Sequence, residues 1–372
     1  MNWKKVVSVL LVSAMTLSMA ACGDTASTSD NAATGTETKG STSTANASSD
    51  EKLVVWTLSN DLIDFGKRFQ EQTGVEVDTV VIEPADYPTK VQTALLAGEK
   101  EPDIIVGEPK MLEDFFDAGF FEDLNQAPYN AQDYADQIVD YVWQVGQDDD
   151  GIQRAISYQI TPAGIYYRRD IAKEVFGTDD PAEVQKKVAD WDTFKATAEE
   201  LKEKGYQMTS TVNDSYRVFS NNVSTPWVVD GKITVDDNIK NWVDMSKEMV
   251  DAGETATYEL WSDDWSKGFF KDSNVFAYFG PAWFIDFSMS ADQDGSVGKD
   301  GGWAATEGPQ GFYWGGTWIT AATGTDNPTL VADIMRTMTT NVDVMKEIVT
   351  ADNDFVNNKP AMEEMAADES YG

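Results

Sequence analysis

From Leu53 to Val106 the chain alternates between short runs of apolar, β-branched residues and segments with helical spacing, and this alternation most limits the folds open to it. Leu53 to Thr57 is a β-rich run. Asp61 to Thr73 sets Leu62, Phe65 and Phe69 on one helical face and stops at Gly74. Val75 to Ile82 predicts a second strand, closed by Glu83-Pro84, and Tyr87 to Ala97 a second helix that ends at Gly98. Asp103 to Val106 is nearly all apolar and is stopped by Gly107-Glu108-Pro109. Strand, helix, strand, helix, strand with short connections predicts a parallel sheet with helices on both faces, because a parallel crossover passes over a face of the sheet. Ligands of such sheets sit beyond the carboxyl ends of the strands. Trp56 to Asp61 and Gly107-Glu108 lie at those ends. Further helical patterns occur around Trp191 to Lys204 and Ile239 to Ala252.

The N-terminus carries a different signal. Lys4 and Lys5 precede an apolar run from Val6 to Leu17 that is too short to span a bilayer, which reads as a cleavable signal peptide over residues 1–21. It ends in Met19-Ala20-Ala21-Cys22-Gly23, small residues before a cysteine, and resembles a bacterial lipobox with Met19 where Leu is commoner. Cys22 is the only cysteine in the chain and has no disulfide partner within it. The expectation is lipidation at Cys22, with two acyl chains to give durable anchoring. Gly23 to Asp50 holds small and polar residues and no aromatic one, so residues 22–51 read as a flexible tether. The expected location is the outer face of the cytoplasmic membrane.

Composition narrows the function of the remaining part, from about Glu51 to Gly372. With hydrophobic residues at 41% and aromatics at 11% of the whole chain, this part can build a sizeable core. A net charge of -36 argues against nucleic acid and anionic membrane surfaces, both of which are bound by clustered Lys and Arg. The chain has no histidine, which removes His-based triads, zinc sites and imidazole acid-base chemistry. Gly311 to Gly316 lacks the spacing and the Lys of a phosphate loop. Asp292 to Ser296 looks like part of a calcium loop, but Trp303 stands where its closing Glu belongs, so a polar turn is the better reading. No metal or cofactor is expected, and catalysis has no motif to support it.

Leu53-Val-Val-Trp56, Phe69-Gln-Glu-Gln-Thr-Gly74-Val-Glu-Val, Ala97-Gly98-Glu99, Pro102-Asp103-Ile104-Ile105 and Ala118-Gly119 before Asp123-Leu124 recur in an order that resembles the extracellular solute-binding proteins of ABC importers. The nearest group is the carbohydrate-binding one that includes maltose-binding protein. Ile156-Ser157-Tyr158, Gly164 to Asp170, Gly280-Pro281-Ala282-Trp283 and Gly315-Gly316-Thr317-Trp318-Ile319 extend the likeness to about Glu363. It implies an α/β fold of two lobes, each a mainly parallel sheet flanked by helices, joined by crossing strands and closing over a ligand. It places residues 52–158 and about 316–358 in one lobe, and about 159–315 with 359–372 in the other, with a short C-terminal return. It also implies a monomeric, non-enzymatic protein whose partners are a sugar or oligosaccharide and the transmembrane subunits of a permease.

The residues point to a ligand class on their own account. Sugars offer apolar CH faces edged by hydroxyls, which suit aromatic plates beside carboxylates and amides. The chain has 12 Trp, and several stand in turning, polar surroundings. Trp227 follows Thr225-Pro226, Trp261 precedes Ser262-Asp263-Asp264, Trp283 follows Gly280-Pro281, and Trp314 precedes Gly315-Gly316. Each can pack a core or face a ligand, and the family likeness favours Trp283 and Trp314 as contacts. Asn60, Asp61, Glu108 and Tyr158 are the polar candidates at predicted strand ends, although Asp61 can equally cap a helix. Arg217 can contact hydroxyls or a carboxylate but reads first as a surface residue, Trp242 reads as core, and Tyr166-Tyr167 as packing along a hinge strand. Two alternatives stay open: the same fold binding a polyamine or other cation, and a surface glycoside hydrolase with paired carboxylates.

Overall fold

The computed structural model describes residues 52–371 apart from 59–62, 64–65, 68, 72–73, 84–85, 98–100, 117, 290–292 and 353. Cys22, Asn60 and Asp61 lie outside the described residues, as do the expected signal and tether and part of the helix expected over 61–73.

Four strands come first: β1 (Lys52–Thr57), β2 (Glu76–Val81), β3 (Ile104–Gly107) and β4 (Ala155–Ser157). The next stretch holds β5 (Pro162–Arg168), β6 (Gln207–Thr209), the hairpin strands β7 (Val228–Val229) and β8 (Lys232–Ile233), then β9 (Val275–Pro281), β10 (Trp303–Thr306) and β11 (Phe312–Tyr313). The last strand, β12 (Trp318–Ala321), rejoins the first group. One sheet has the order β2-β1-β3-β12-β4 and the other β10-β5-β9-β6, with β11 also on β5. In the first sheet β1 is parallel to β2 and β3, as the alternating pattern requires, and helix Tyr87–Ala97 supplies the crossover between β2 and β3. Only β12 runs against its neighbours there.

The second sheet corrects the expectation of a mainly parallel arrangement. There β5 is antiparallel to β9, β10 and β11, and among the described residues only β6 and β9 pair in parallel. The reason is the direct crossing: β5 enters from β4 without a helix, so it runs away from the junction while β9 runs towards it. The register shows this, with Ala163 at the start of β5 opposite Pro281 at the end of β9. In the same way, Trp318 at the start of β12 lies opposite Gly107 and Ser157, the last residues of β3 and β4. The carboxyl ends of β3, β4 and β9 therefore meet at the two crossings.

Two separate cores follow from the two sheets. Leu53, Ile104, Ile105, Phe121, Ile156, Trp318 and Ile319 belong to one, and Ile165, Tyr167, Phe194, Met208, Phe276 and Phe279 to the other. The helix Trp191–Glu203 is started by a capping box between Asp190 and Thr193, and Asp237–Ala252 by the Asp236 side chain. The C-terminal helix Lys359–Ala366, expected in the second lobe, packs Ala361 and Met365 into the first core instead. Its lead-in explains this: Ile160 N–H donates to Phe355 O at 3.1 Å and Asn357 N–H to Tyr158 O at 2.7 Å, which holds the chain on the first lobe. Among the described residues no helix is long and apolar enough to cross a membrane.

Candidate functional site

The two crossings, residues 158–161 and 314–317, are bonded to each other. Trp314 N–H donates to Thr161 O at 3.2 Å, and the Thr161 hydroxyl donates to Gly315 O at 3.3 Å. Gly315 and Gly316 have φ of 69° and 105°, and a Cβ on Gly316 would run into the Trp318 ring. At Gly316 both backbone conformation and space call for glycine. The turn sends the Trp314 side chain inward, where only 2% of it is exposed.

Around Trp314 an aromatic group assembles from distant parts of the chain. Trp283 lies 5.8 Å away, Phe284 5.8 Å and Trp261 5.6 Å between ring centroids. Trp283 follows the end of β9, and its Nε1–H donates to Trp314 O at 3.2 Å. Trp261 is 48% exposed and packs on Trp265 at 5.1 Å. Its φ of 69° is a conformation that a bulky side chain rarely adopts, and such strain persists only where the surroundings enforce it.

Two charged groups converge on the same place. Glu108 follows the last residue of β3 in the first lobe, and a Cβ built on Gly315 would lie 3.6 Å from its Oε1 and 3.3 Å from Trp283. Burial pushes the Glu108 carboxyl above its ordinary range, against the pull of Arg217 and Lys110. Arg217 stands on the short helix Tyr216–Ser220 of the second lobe, with its guanidinium carbon 4.5 Å from the centre of the Trp314 ring. Burial lowers its proton affinity while Glu108 opposes the change. Tyr141 and Tyr313 pair at 5.5 Å, with Tyr313 within electrostatic reach of Arg217, and the Tyr141 hydroxyl accepts from Thr161 N–H at 3.3 Å.

Of the residues singled out in the sequence, Glu108, Trp261, Trp283 and Trp314 are thus brought together. Tyr158, at the start of the first crossing, is 4% exposed and packs in the first core. Trp227 is 53% exposed at the start of the β7–β8 hairpin, where its carbonyl accepts from Thr234 N–H. Arg217 corrects the surface reading, since it is half-buried over Trp314. Sequence reasoning missed Tyr141, Tyr313 and Asp214. The Asp214 carboxylate is fully buried and accepts from Trp265 Nε1–H at 2.8 Å and Thr211 N–H at 3.1 Å, which ties the Trp261–Trp265 segment to the turn that presents Arg217.

Residues 64–371 match the family described as bacterial extracellular solute-binding protein. The chain belongs to that family. Solved structures agree on the fold of this solute-binding protein. One described as an extracellular solute-binding protein of family 1 superposes with a TM-score of 0.74 at 21% identity, over 84% of this chain and 81% of that one. The GacH receptor of Streptomyces glaucescens, crystallised unliganded and with acarbose, gives 0.67 at 17% identity over 86% and 84%. The sugar-binding protein MalE of Xanthomonas citri gives 0.67 at 15% identity over 85% and 82%. No curated protein matches the sequence.

Proposed function

We propose that this solute-binding protein captures a sugar or oligosaccharide between its lobes and delivers it to the transmembrane subunits of an ABC importer, with no bond made or broken. The observation that carries the reading is the convergence of Trp261, Trp283, Glu108 and Arg217 at the Trp314–Gly315 turn, with the two charges supplied by opposite lobes. Aromatic faces beside a hydrogen-bond acceptor and a donor match the apolar faces and hydroxyl edges of a pyranose. The saccharide would stabilise the closed arrangement because only that arrangement contacts it from both sides. Several of the solved relatives bind saccharides, among them one in complex with β-1,6-galactobiose and one with lacto-N-biose.

The same geometry weighs against the alternatives. A polyamine site gathers carboxylates, whereas here the group facing Glu108 is the Arg217 cation. A hydrolase needs a second carboxylate across the bond from the first, and the charged group that reaches the same crossing from the second lobe is Arg217 rather than an acid. Asn60 and Asp61 join the site in this reading as polar contacts from the first lobe, and Trp227 as an outlying plate for a longer chain. Lipidation at Cys22 would hold the protein, as a monomer, on the outer face of the membrane.

The test is a melting screen of the full chain against neutral mono- and oligosaccharides, with spermidine and spermine as the contrasting set. A ligand at a hundred times its dissociation constant adds about 2.7 kcal/mol of stability. Stabilisation by saccharides without product formation is expected. Stabilisation by polyamines alone would overturn the sugar.

A further inference from the structure

We propose that Glu108 and Arg217 hold one pair of neighbouring hydroxyl groups of a neutral saccharide from opposite lobes, so that the ligand's diol completes an ion pair the protein leaves open. The inference rests on the saccharide reading above and adds to it which ligand chemistry the site selects.

The first ground is placement. Glu108 extends from β3 of the first lobe, while Arg217 is seated in the second lobe through Val218 and Phe219, its buried neighbours on the same short turn of helix. The two side chains nevertheless reach adjacent residues of one crossing, Arg217 at the Trp314 ring and Glu108 at Gly315.

The second ground is that the pair is open. Arg154, Arg168 and Arg169 each have a carboxylate within 3.2 Å. Among the described residues Arg217 has none within ion-pair distance and takes the Trp314 ring instead. In a chain with 64 Asp and Glu against 28 Lys and Arg, a half-buried guanidinium without its own carboxylate is not for want of acids. The attraction between the two charges also fails to outweigh their burial: the Glu108 carboxyl is pushed up and Arg217 down, the reverse of what a closed pair does. Among the described residues neither charge has its hydrogen-bonding capacity taken up.

The third ground is chemical. A carboxylate only accepts and a guanidinium only donates, whereas a hydroxyl does both. Two neighbouring hydroxyls can donate to Glu108 and accept from Arg217 at once, through charge-assisted bonds at both ends. The open pair is already neutral in sum, so a neutral ligand leaves it balanced. A uronate would bring a second anion beside Glu108, and an ammonium a second cation beside Arg217.

The experiment measures binding by titration calorimetry on the full chain, using maltose, maltotriose, β-1,6-galactobiose and lacto-N-biose as probes. Wild type is compared with E108Q, R217M and the double variant, and a neutral probe with its uronate-bearing counterpart. Each single variant should weaken the neutral probe roughly ten- to a hundredfold. The double variant should be little worse than the poorer single one, because both side chains hold the same hydroxyl pair. Wild type should prefer the neutral probe over its uronate counterpart at least about tenfold. Melting of the unliganded variants separates loss of binding from loss of fold, and the uronate comparison needs no variant. Losses that multiply, variants that bind like wild type, or a uronate bound as tightly as the neutral probe overturn the shared diol while the saccharide reading stands. Silence of a folded wild type towards every probe overturns both.

Discussion

Asp214 should make the stability of this protein fall as pH rises through neutrality. Its carboxyl is fully buried, and no cation pairs with it among the described residues. Burial pushes its pKa from the ordinary 3.8 to about 7, and the bonds from Trp265, Thr211 and Ser210 only partly oppose the shift. Between those two values the folded state holds a proton that the unfolded chain has released. Stability is therefore greatest at low pH and is lost as pH rises towards 7. For a folded value of about 7 against 3.8, the loss between pH 5 and pH 8 is about 2.5 kcal/mol. Self-repulsion in a chain of net charge -36 also grows with pH, so wild type alone does not isolate the group. Asp214→Asn does, because the other charges cancel in the difference. Urea unfolding at pH 5 and pH 8 should show the variant less stable than wild type at pH 5, and about 2.5 kcal/mol closer to it, or past it, at pH 8. A stability difference that is equal at the two pH values would refute the argument.

Trp314→Ala removes a ring that seats Arg217 and packs against Trp261, Trp283 and Phe284, and should cost about 3–5 kcal/mol in a urea melt together with most of the affinity. Asn357→Ala should cost about 2–3 kcal/mol by the same assay. Its buried amide accepts from Val139 N–H at 2.9 Å and donates to Ser157 O at 2.8 Å, and both of these bonds would be lost. Cys22→Ser should abolish incorporation of labelled palmitate and release the protein from the cell surface, and continued labelling would remove the anchor.

The parts of the fold that showed in the sequence are those encoded by local periodicity. Tyr87–Ala97 and the neighbouring strands are read from the spacing of apolar residues over a few turns, and so are the helices Trp191–Glu203 and Asp237–Ala252. What did not show depends on where distant segments meet. The apolar face of Lys359–Ala366 tells that the helix is half-buried but not in which of two cores. The direction of β5 depends on its arrival through a crossing rather than a helix, which its residues do not record. Trp314 looked like a loop tryptophan because glycines follow it, yet those glycines are what turn the ring inward. Arg217 could be read only as either a surface residue or a contact to hydroxyls or a carboxylate. The role proposed for it depends on Glu108 and Trp314, 109 and 97 positions away, and no local pattern carries that relation.

The turn at Gly315 and Gly316 lets stability and binding be separated by two neighbouring substitutions. At φ of 105° Gly316 lies outside the left-handed helical region, and its Cβ would meet the rigid Trp318 ring in the first core. Gly316→Ala should therefore destabilise the protein by several times the ~1 kcal/mol of an ordinary substitution. At φ of 69° Gly315 is close to a conformation that alanine adopts at a cost of about 1–2 kcal/mol. Its new methyl would sit 3.3 Å from Trp283 and 3.6 Å from Glu108 Oε1, in the space proposed for the ligand. Gly315→Ala should thus keep most of the melting temperature and lose affinity, while Gly316→Ala loses both. Calorimetry and thermal melts on the two variants decide the matter. If Gly315→Ala binds saccharide as wild type does, the space between Trp283 and Glu108 is not where the ligand sits, whatever the fate of the fold.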